Sequence, residues 1–202
     1  MQAYLDLAYS YDRLTNDVDY GAVVEFYMQI LAREGLTPRT AVDLACGTGS
    51  VALLLAQKGL QVTAVDMSED MLCRAAQKAQ EARMSVTFAC QRLEQLHLPK
   101  AVDLAVCALD SLDYITDPEA CAEAIRRVYK ALNPGGIFIF DVNTPYKHRE
   151  ILRDNVFVYE FEDLFCCWQN SCEDGVNVDI SLDIFAKEEG ESGWDQIGRA
   201  HV

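Results

Sequence analysis

The chain has 202 residues, half of them hydrophobic, and a formal net charge of −15 at neutral pH. That is enough apolar material for one packed domain, and it excludes a disordered chain. So acidic a surface repels phosphate backbones, the nearest basic run (Tyr146-Lys147-His148-Arg149) is short, and no apolar run approaches the roughly 20 residues of a membrane helix.

"VDYGAVVEFYMQILAREG" sets Tyr20, Val23, Val24, Tyr27, Met28 and Leu31 at helical spacing, with Gly35 as the stop. The aromatic, charged "YSYDRL" precedes it. Strands and helices then alternate. "TAVDLAC" is read as a short buried strand and "SVALLLAQKG" as a helix closed by Gly59. "QVTAVDM" is a second strand, and "SEDMLCRAAQKAQEAR" a helix capped by Ser68, with Glu69 and Asp70 suiting its positive end. "SVTFAC" and "VDLAVCAL" follow as strands. "DPEACAEAIRRVYKAL" is a helix with Asp117 as cap and Pro118 in the first position. "NPGG" is read as a turn and "IFIFDVN" as a fifth strand. This rhythm predicts an α/β fold, a parallel sheet with helices on both faces.

After Pro145 the helices stop. "VFVYEFED", "LFCCWQNSC" and "VNVDISLDIFAK" are read as strands of an appended antiparallel segment, with "EDG" as the turn before the last. The terminal "IGRAHV" fits no element, and it is what the start of a common sequencing adapter encodes in one frame. Residues 197–202 are therefore expected to be a non-native tail, and the source gene to hold a longer reading frame.

The eight cysteines form no Cys-x-x-Cys pair, and most lie in apolar surroundings. They are read as reduced core residues of a cytoplasmic protein without a metal site. His97 is read as a surface loop residue and Trp168 as sheet packing.

The informative stretch is "AVDLACGTGSVALLLA". Gly47 and Gly49 stand between a strand and a helix, where glycine permits a tight turn and close approach of a ligand. A dinucleotide loop with a third small residue at Ala52 satisfies the same pattern. Asp43, four residues before Gly47, offers an acceptor to a cationic ligand and puts negative charge where a diphosphate would lie. Asp66, at the end of the second strand, can accept from both hydroxyls of a ribose, which suits either ligand.

"VDLACGTG", "VDMSEDML" and "LNPGGIFIFDVN" resemble the successive motifs of class I S-adenosylmethionine-dependent methyltransferases, over roughly residues 4 to 190. "YSYDRL", "CALDSLDYI" and "DVNTPYKHREIL" resemble one bacterial subgroup acting on small molecules. The resemblance implies a Rossmann-like fold and S-adenosylmethionine as cofactor. It implies that Asp43, Ala45, Gly47 and Gly49 line the methionine end, that Asp66 holds the ribose, and that Met67 packs on the adenine. Leu93 would offer its N–H to the adenine, Cys107 and Ala108 would pass beside the sulfonium, and Tyr11 and Arg13 would close over the site. Two departures stand out. Arg92 replaces the family's adenine-reading Asp; a guanidinium accepts no hydrogen bond, a loss of about 1 kcal/mol. The family's C-terminal strand pair is expected to be missing, which would leave the fifth strand as an open edge.

The expected organisation is an N-terminal helical lid over 1–35, a cofactor-binding core over 36–145 and an antiparallel β lid over 146–190. Methyl transfer from a sulfonium needs positioning and exclusion of water more than a general base, so no residue is assigned as catalytic. Asp110, Tyr114, Asn143 and Tyr146 follow the fourth and fifth strands, where such sheets bind ligands, and are the substrate candidates; turn and cap chemistry is their other reading. The rival functions are a nicotinamide-dependent oxidoreductase and a non-catalytic cofactor-binding module.

Overall fold

The computed structural model describes residues 8, 10–172, 174, 176–187 and 193–201. Residue 9 of the lead-in, residues 173 and 175 of the expected turn and residue 202 of the expected tail lie outside them. The chain divides into two compact units, one of Val18–Val142 and the other of the chain up to Asp17 and from Asn143 onward.

In the first unit, helix α1 (Tyr20–Arg33) begins where the Asp19 carboxylate accepts from the Ala22 N–H at 2.8 Å. It ends before Gly35, whose φ is +70°. Its buried face is Val24, Tyr27 and Leu31, three and four residues apart. There follow β1 (Thr40–Leu44), α2 (Ser50–Gln57), β2 (Gln61–Asp66), α3 (Glu69–Glu81), β3 (Val86–Cys90), β4 (Val102–Cys107), α4 (Pro118–Ala131) and β5 (Leu132–Phe140). The caps are those the sequence announces: the Ser68 hydroxyl accepts from the Met71 N–H, and Asp117 accepts from Glu119 and Ala120 ahead of Pro118.

The strands form one parallel sheet in the order β3-β2-β1-β4-β5. Alternate residues of β4 face opposite layers. Leu104 and Val106 join α1 and α2 residues such as Leu31, Val51 and Leu55. Ala105 and Cys107 join Val42, Leu44 and, from α4, Ala124 and Val128. A sheet buried on both faces needs the near-continuous apolar strands seen here, and each buried Leu or Val contributes about 1.5–3 kcal/mol. The chain runs from β1 outward to β3 and returns to β4 on the other side. The crevice between β1 and β4, at their carboxyl ends, is where such a sheet takes a ligand.

One expectation changes here. Asn133–Gly136, read as a turn, lies inside β5. Val102 pairs with Leu132 and Leu104 with Ile137, so the β5 chain bulges out, and Gly135 takes the turning conformation at φ +82°.

The second unit holds a π-helical turn (Lys147–Leu152) and the strands β6 (Val156–Glu160), β7 (Leu164–Ser171), β8 (Asp179–Ala186) and β9 (Asp195–His201). They form an antiparallel sheet in that order. Strand β8 starts later than its alternation suggests, because the Asp174 carboxylate accepts from the Val176 and Asn177 N–H groups and turns the backbone. Strand β9 corrects the reading of "IGRAHV" as fitting no element. The segment pairs with β8, and the Asp183 carboxylate accepts from Gln196 at 2.8 Å and Arg199 at 2.6 Å. Trp168 packs edge-on against Phe157 across β6 and β7.

Candidate functional site

The turn after β1 is fixed at nearly every residue. The Cys46 N–H donates to the Val65 carbonyl at 3.0 Å, which carries the β1–β2 pairing one step further. The Gly47 N–H donates to Asp66 Oδ2 at 2.8 Å, and the Gly49 N–H closes the turn onto the Cys46 carbonyl at 2.9 Å. The other oxygen of Asp66 accepts from the Ser68 N–H at 2.8 Å. Asp66 thus bridges the start of α3 and the glycine turn while each oxygen keeps room for another donor. Three consecutive odd positions, Ala45, Gly47 and Gly49, take positive φ (51°, 52° and 78°). For Ala45 that conformation is strained, and such strain gathers at ligand sites. Gly49 must be glycine on a second count: a Cβ there would stand 2.9 Å from the Cβ of Ala75 on α3.

Asp43 is 1% exposed, level with Val106 across the β1–β4 pair. The Ala52 N–H, in the first turn of α2, donates to its carboxylate, yet Oδ2 has no hydrogen-bond partner among the described residues. Burial, opposed by the Ala52 bond and assisted by Asp66, pushes its pKa up to about 8. Other buried groups sense the same negative field. The Cys107 thiol is pushed up to about 12 by burial and then by Asp43, Asp141, Asp113 and Asp66. The Tyr27 hydroxyl is driven well above its usual range by burial, then by Asp141, Asp43 and Cys107. Cys107 therefore stays a thiol and is no nucleophile. Carboxylates gather where the crevice opens, and a buried carboxylate oxygen without a donor suits a ligand that brings a cation with N–H groups. S-adenosylmethionine, with its ammonium and sulfonium, fits that donor set; a dinucleotide diphosphate does not.

The remaining candidates of the first unit fall around the same strand ends. Met67 is exposed beside Asp66, and the Arg92 guanidinium lies on its sulfur at 3.7 Å. Arg92 is also paired with Glu94, whose carboxyl it holds below the usual range. Leu93 opens a single 3-10 turn, the position whose N–H has no partner within the turn. The Gln91 N–H donates to the Asp66 carbonyl at 2.9 Å, which joins this segment to β2. Cys107 and Ala108 are buried at the end of β4. Leu109 and Asp110 follow with φ of 56° and 50°, and Asp141 accepts from the Asp110 N–H at 2.7 Å. Tyr114 is exposed at the end of a 3-10 turn.

Tyr11, Arg13, Asn143 and Tyr146 belong to the second unit. There the Arg13 guanidinium makes a two-pronged pair with Asp163, at 3.1 and 2.5 Å, and lies over the Phe161 ring. Three residues escaped sequence reasoning. Tyr27 reads as helix core by its spacing, and Asp141 is one polar residue in a strand end. Lys78 is one cation in a charged helix, yet its ammonium donates to Thr48 and Ser50. Nothing in the local pattern of any of them signals its partners.

Comparison with known proteins places the chain among methyltransferases. The methyltransferase domain family matches residues 41–136. A Geobacillus protein, GWCH70_2453, is 32% identical over 166 residues, covering 82% of this chain and 67% of the relative. YqeM of Bacillus subtilis is 32% identical over 201 residues, 98% of this chain and 78% of the relative. Both carry the methyltransferase name without a stated acceptor. The crystal structure of an S-adenosylmethionine-dependent methyltransferase from Clostridium acetobutylicum superposes with a TM-score of 0.84 at 32% identity, covering 98% of this chain and 79% of that one.

Proposed function

This chain belongs to the class I S-adenosylmethionine-dependent methyltransferases, and from that premise we propose that it methylates a small molecule in the cytoplasm, with the donor held at the carboxyl ends of β1, β2 and β4. The observation that carries the site is the buried Asp43 carboxylate, one oxygen of which has no partner among the described residues. Bound S-adenosylmethionine supplies a methyl group on a cationic sulfur, an electrophile that needs no metal and no covalent intermediate on the protein.

The residues position and shield. Ionised Asp43 accepts from the donor's ammonium. Asp66 keeps its two backbone bonds and uses its remaining lone pairs on the ribose hydroxyls. Ala45, Gly47 and Gly49 give the backbone its close approach. Met67 would hold the adenine by apolar contact, and the Leu93 N–H would be a donor to it. Cys107 and Ala108 wall the reacting centre with apolar surface that excludes water. Asp110 and Tyr114, after β4, stand where the acceptor enters. Support for a small acceptor comes from charge: Asp43, Asp66, Asp110, Asp113 and Asp141 sit at or just after strand ends, and the chain carries −15 overall, a field that opposes a nucleic-acid phosphate backbone. Support for the cytoplasm comes from the eight cysteines, all free thiols.

Calorimetry with S-adenosylhomocysteine tests the reading. The wild type binds it at micromolar concentration or tighter, and Asp66→Ala weakens it about tenfold or more with the fold retained. No binding below about a millimolar by the wild type sinks the proposal.

A further inference from the structure

We infer that Lys78 is a positioning residue of the donor site, holding the glycine turn in its binding shape from helix α3. Its ammonium donates to Thr48 Oγ1 at 3.2 Å and to Ser50 Oγ at 3.0 Å. Those two residues flank Gly49, and Ser50 begins α2. Thr48 is 2% exposed, so its hydroxyl spends its life away from water and needs a partner. Three residues before Lys78, and so on the same face of α3, Ala75 stands against the α-carbon side of Gly49. One helical face therefore both clears the space for the turn and ties down its side chains. Asp66, at the opposite end of the turn, ties the Gly47 N–H.

The charge of Lys78 makes this placement informative. A cation beside the first turn of α2 faces the positive end of that helix, which is unfavourable. It also lies beside a site whose ligand is itself cationic. Both of those effects act against a charge at position 78. The two hydroxyl contacts point to geometry as a reason for a lysine there, because its flexible stem carries three donors and joins both oxygens to α3. The turn's shape is a condition for the donor to reach Asp43 and Asp66 together, so losing the cross-link lowers affinity without touching a group that contacts the donor.

The inference rests on the donor site proposed above, and its test separates the two. S-adenosylhomocysteine and S-adenosylmethionine are titrated calorimetrically into the wild type, Lys78→Met, Lys78→Arg, Thr48→Val and the Lys78→Met/Thr48→Val double variant, with thermal midpoints recorded for each. Failure of the wild type to bind either compound overturns the donor site itself. If the wild type binds, Lys78→Met is expected to weaken both compounds alike, by about tenfold, and Lys78→Arg to recover most of the loss. The double variant is expected to lose little more than Lys78→Met alone, because both changes break one cross-link. Three results overturn the inference. Binding within about twofold of wild type in Lys78→Met is one. Tighter binding of the cationic S-adenosylmethionine, the electrostatic outcome, is another. The third is a loss that Lys78→Arg does not recover and that tracks the drop in thermal midpoint, which would make Lys78 a stabilising residue only.

Discussion

At the amino ends of the strands, the Asp103 carboxylate of β4 accepts from the Arg39 and Thr40 N–H groups, the Thr40 hydroxyl and the Asn133 amide, at 2.8 to 3.1 Å. Those bonds, the Arg39 N–H first and Asn133 next, hold its pKa down at about 2. At the carboxyl ends, Asp43 of β1 is more deeply buried, has an oxygen without a partner among the described residues, and is pushed up to about 8. One sheet thus treats the same side chain in opposite ways. Asp103 is satisfied within the fold and staples three strands together. Asp43 destabilises the fold when ionised, and that cost is offset only when something cationic arrives. A carboxylate that the protein leaves unsatisfied marks the working end of the sheet better than carboxylates as such do.

The largest effect expected from this contrast is the pH response of Asp43. Its folded pKa lies above the unfolded value, so the folded state binds the extra proton. The Asp43 contribution to the stability of the donor-free protein is then greatest below about pH 4 and is lost as pH rises to about 8, by up to about 1.4 kcal/mol per unit. Urea titrations across that range read the slope, and Asp43→Asn flattens it. Donor affinity runs the other way, rising with pH to about 8 by at most tenfold per unit, because the ammonium pairs with the ionised carboxylate. A variant that keeps either slope would assign the titration to another group and end the comparison.

Asp103 gives the next largest effect and the opposite signature. Asp103→Ala removes an acceptor from four donors and is expected to cost about 3 kcal/mol of stability, while S-adenosylhomocysteine affinity stays within about twofold. In the wild type the Asp103 contribution is complete above about pH 4 and is lost as pH falls through about 2. A large loss of donor affinity in this variant would mean that the two ends are not separable.

Much of the first unit was legible because its signals are local. Ser68, Asp117 and Pro118 cap helices three residues or fewer away, and Gly35 and Gly59 stop them by conformation alone. The glycine turn, Asp43 and Asp66 were legible for the same reason, since strand, turn and helix follow in sequence. What escaped depends on distant partners. The Asp103 staple joins residues 30 to 64 positions apart, and no spacing rule connects Arg39 or Asn133 to it. Strand β9 has no apolar alternation, and its place is set by pairing with β8 and by Asp183. The Asn133–Gly136 segment has turn residues and turns, but only the register of β4 shows that the strand continues through it.

The smallest expected effects come from one glycine at each end. At the amino end, a Cβ on Gly136 would stand 2.9 Å from the Asn133 carbonyl oxygen and 3.0 Å from that of Asp103, both backbone atoms that cannot swing aside. At the carboxyl end, a Cβ on Gly49 would stand 2.9 Å from the Ala75 Cβ, and φ there is +78°. Replacing either by alanine is expected to cost about 1–2 kcal/mol, through crowding at Gly136 and through crowding plus left-handed strain at Gly49. The two costs are alike, so stability does not tell the ends apart, but binding does. Gly136→Ala shifts the bulge of β5 at the amino end and should leave S-adenosylhomocysteine affinity unchanged. Gly49→Ala must push α3 away from the turn, and that movement stretches the contacts from Lys78 to Thr48 and Ser50 as well. Equal thermal losses with unequal affinities would show that the carboxyl end is tuned for its ligand, whereas equal affinities would make the glycine turn no more than a loop that happens to fit.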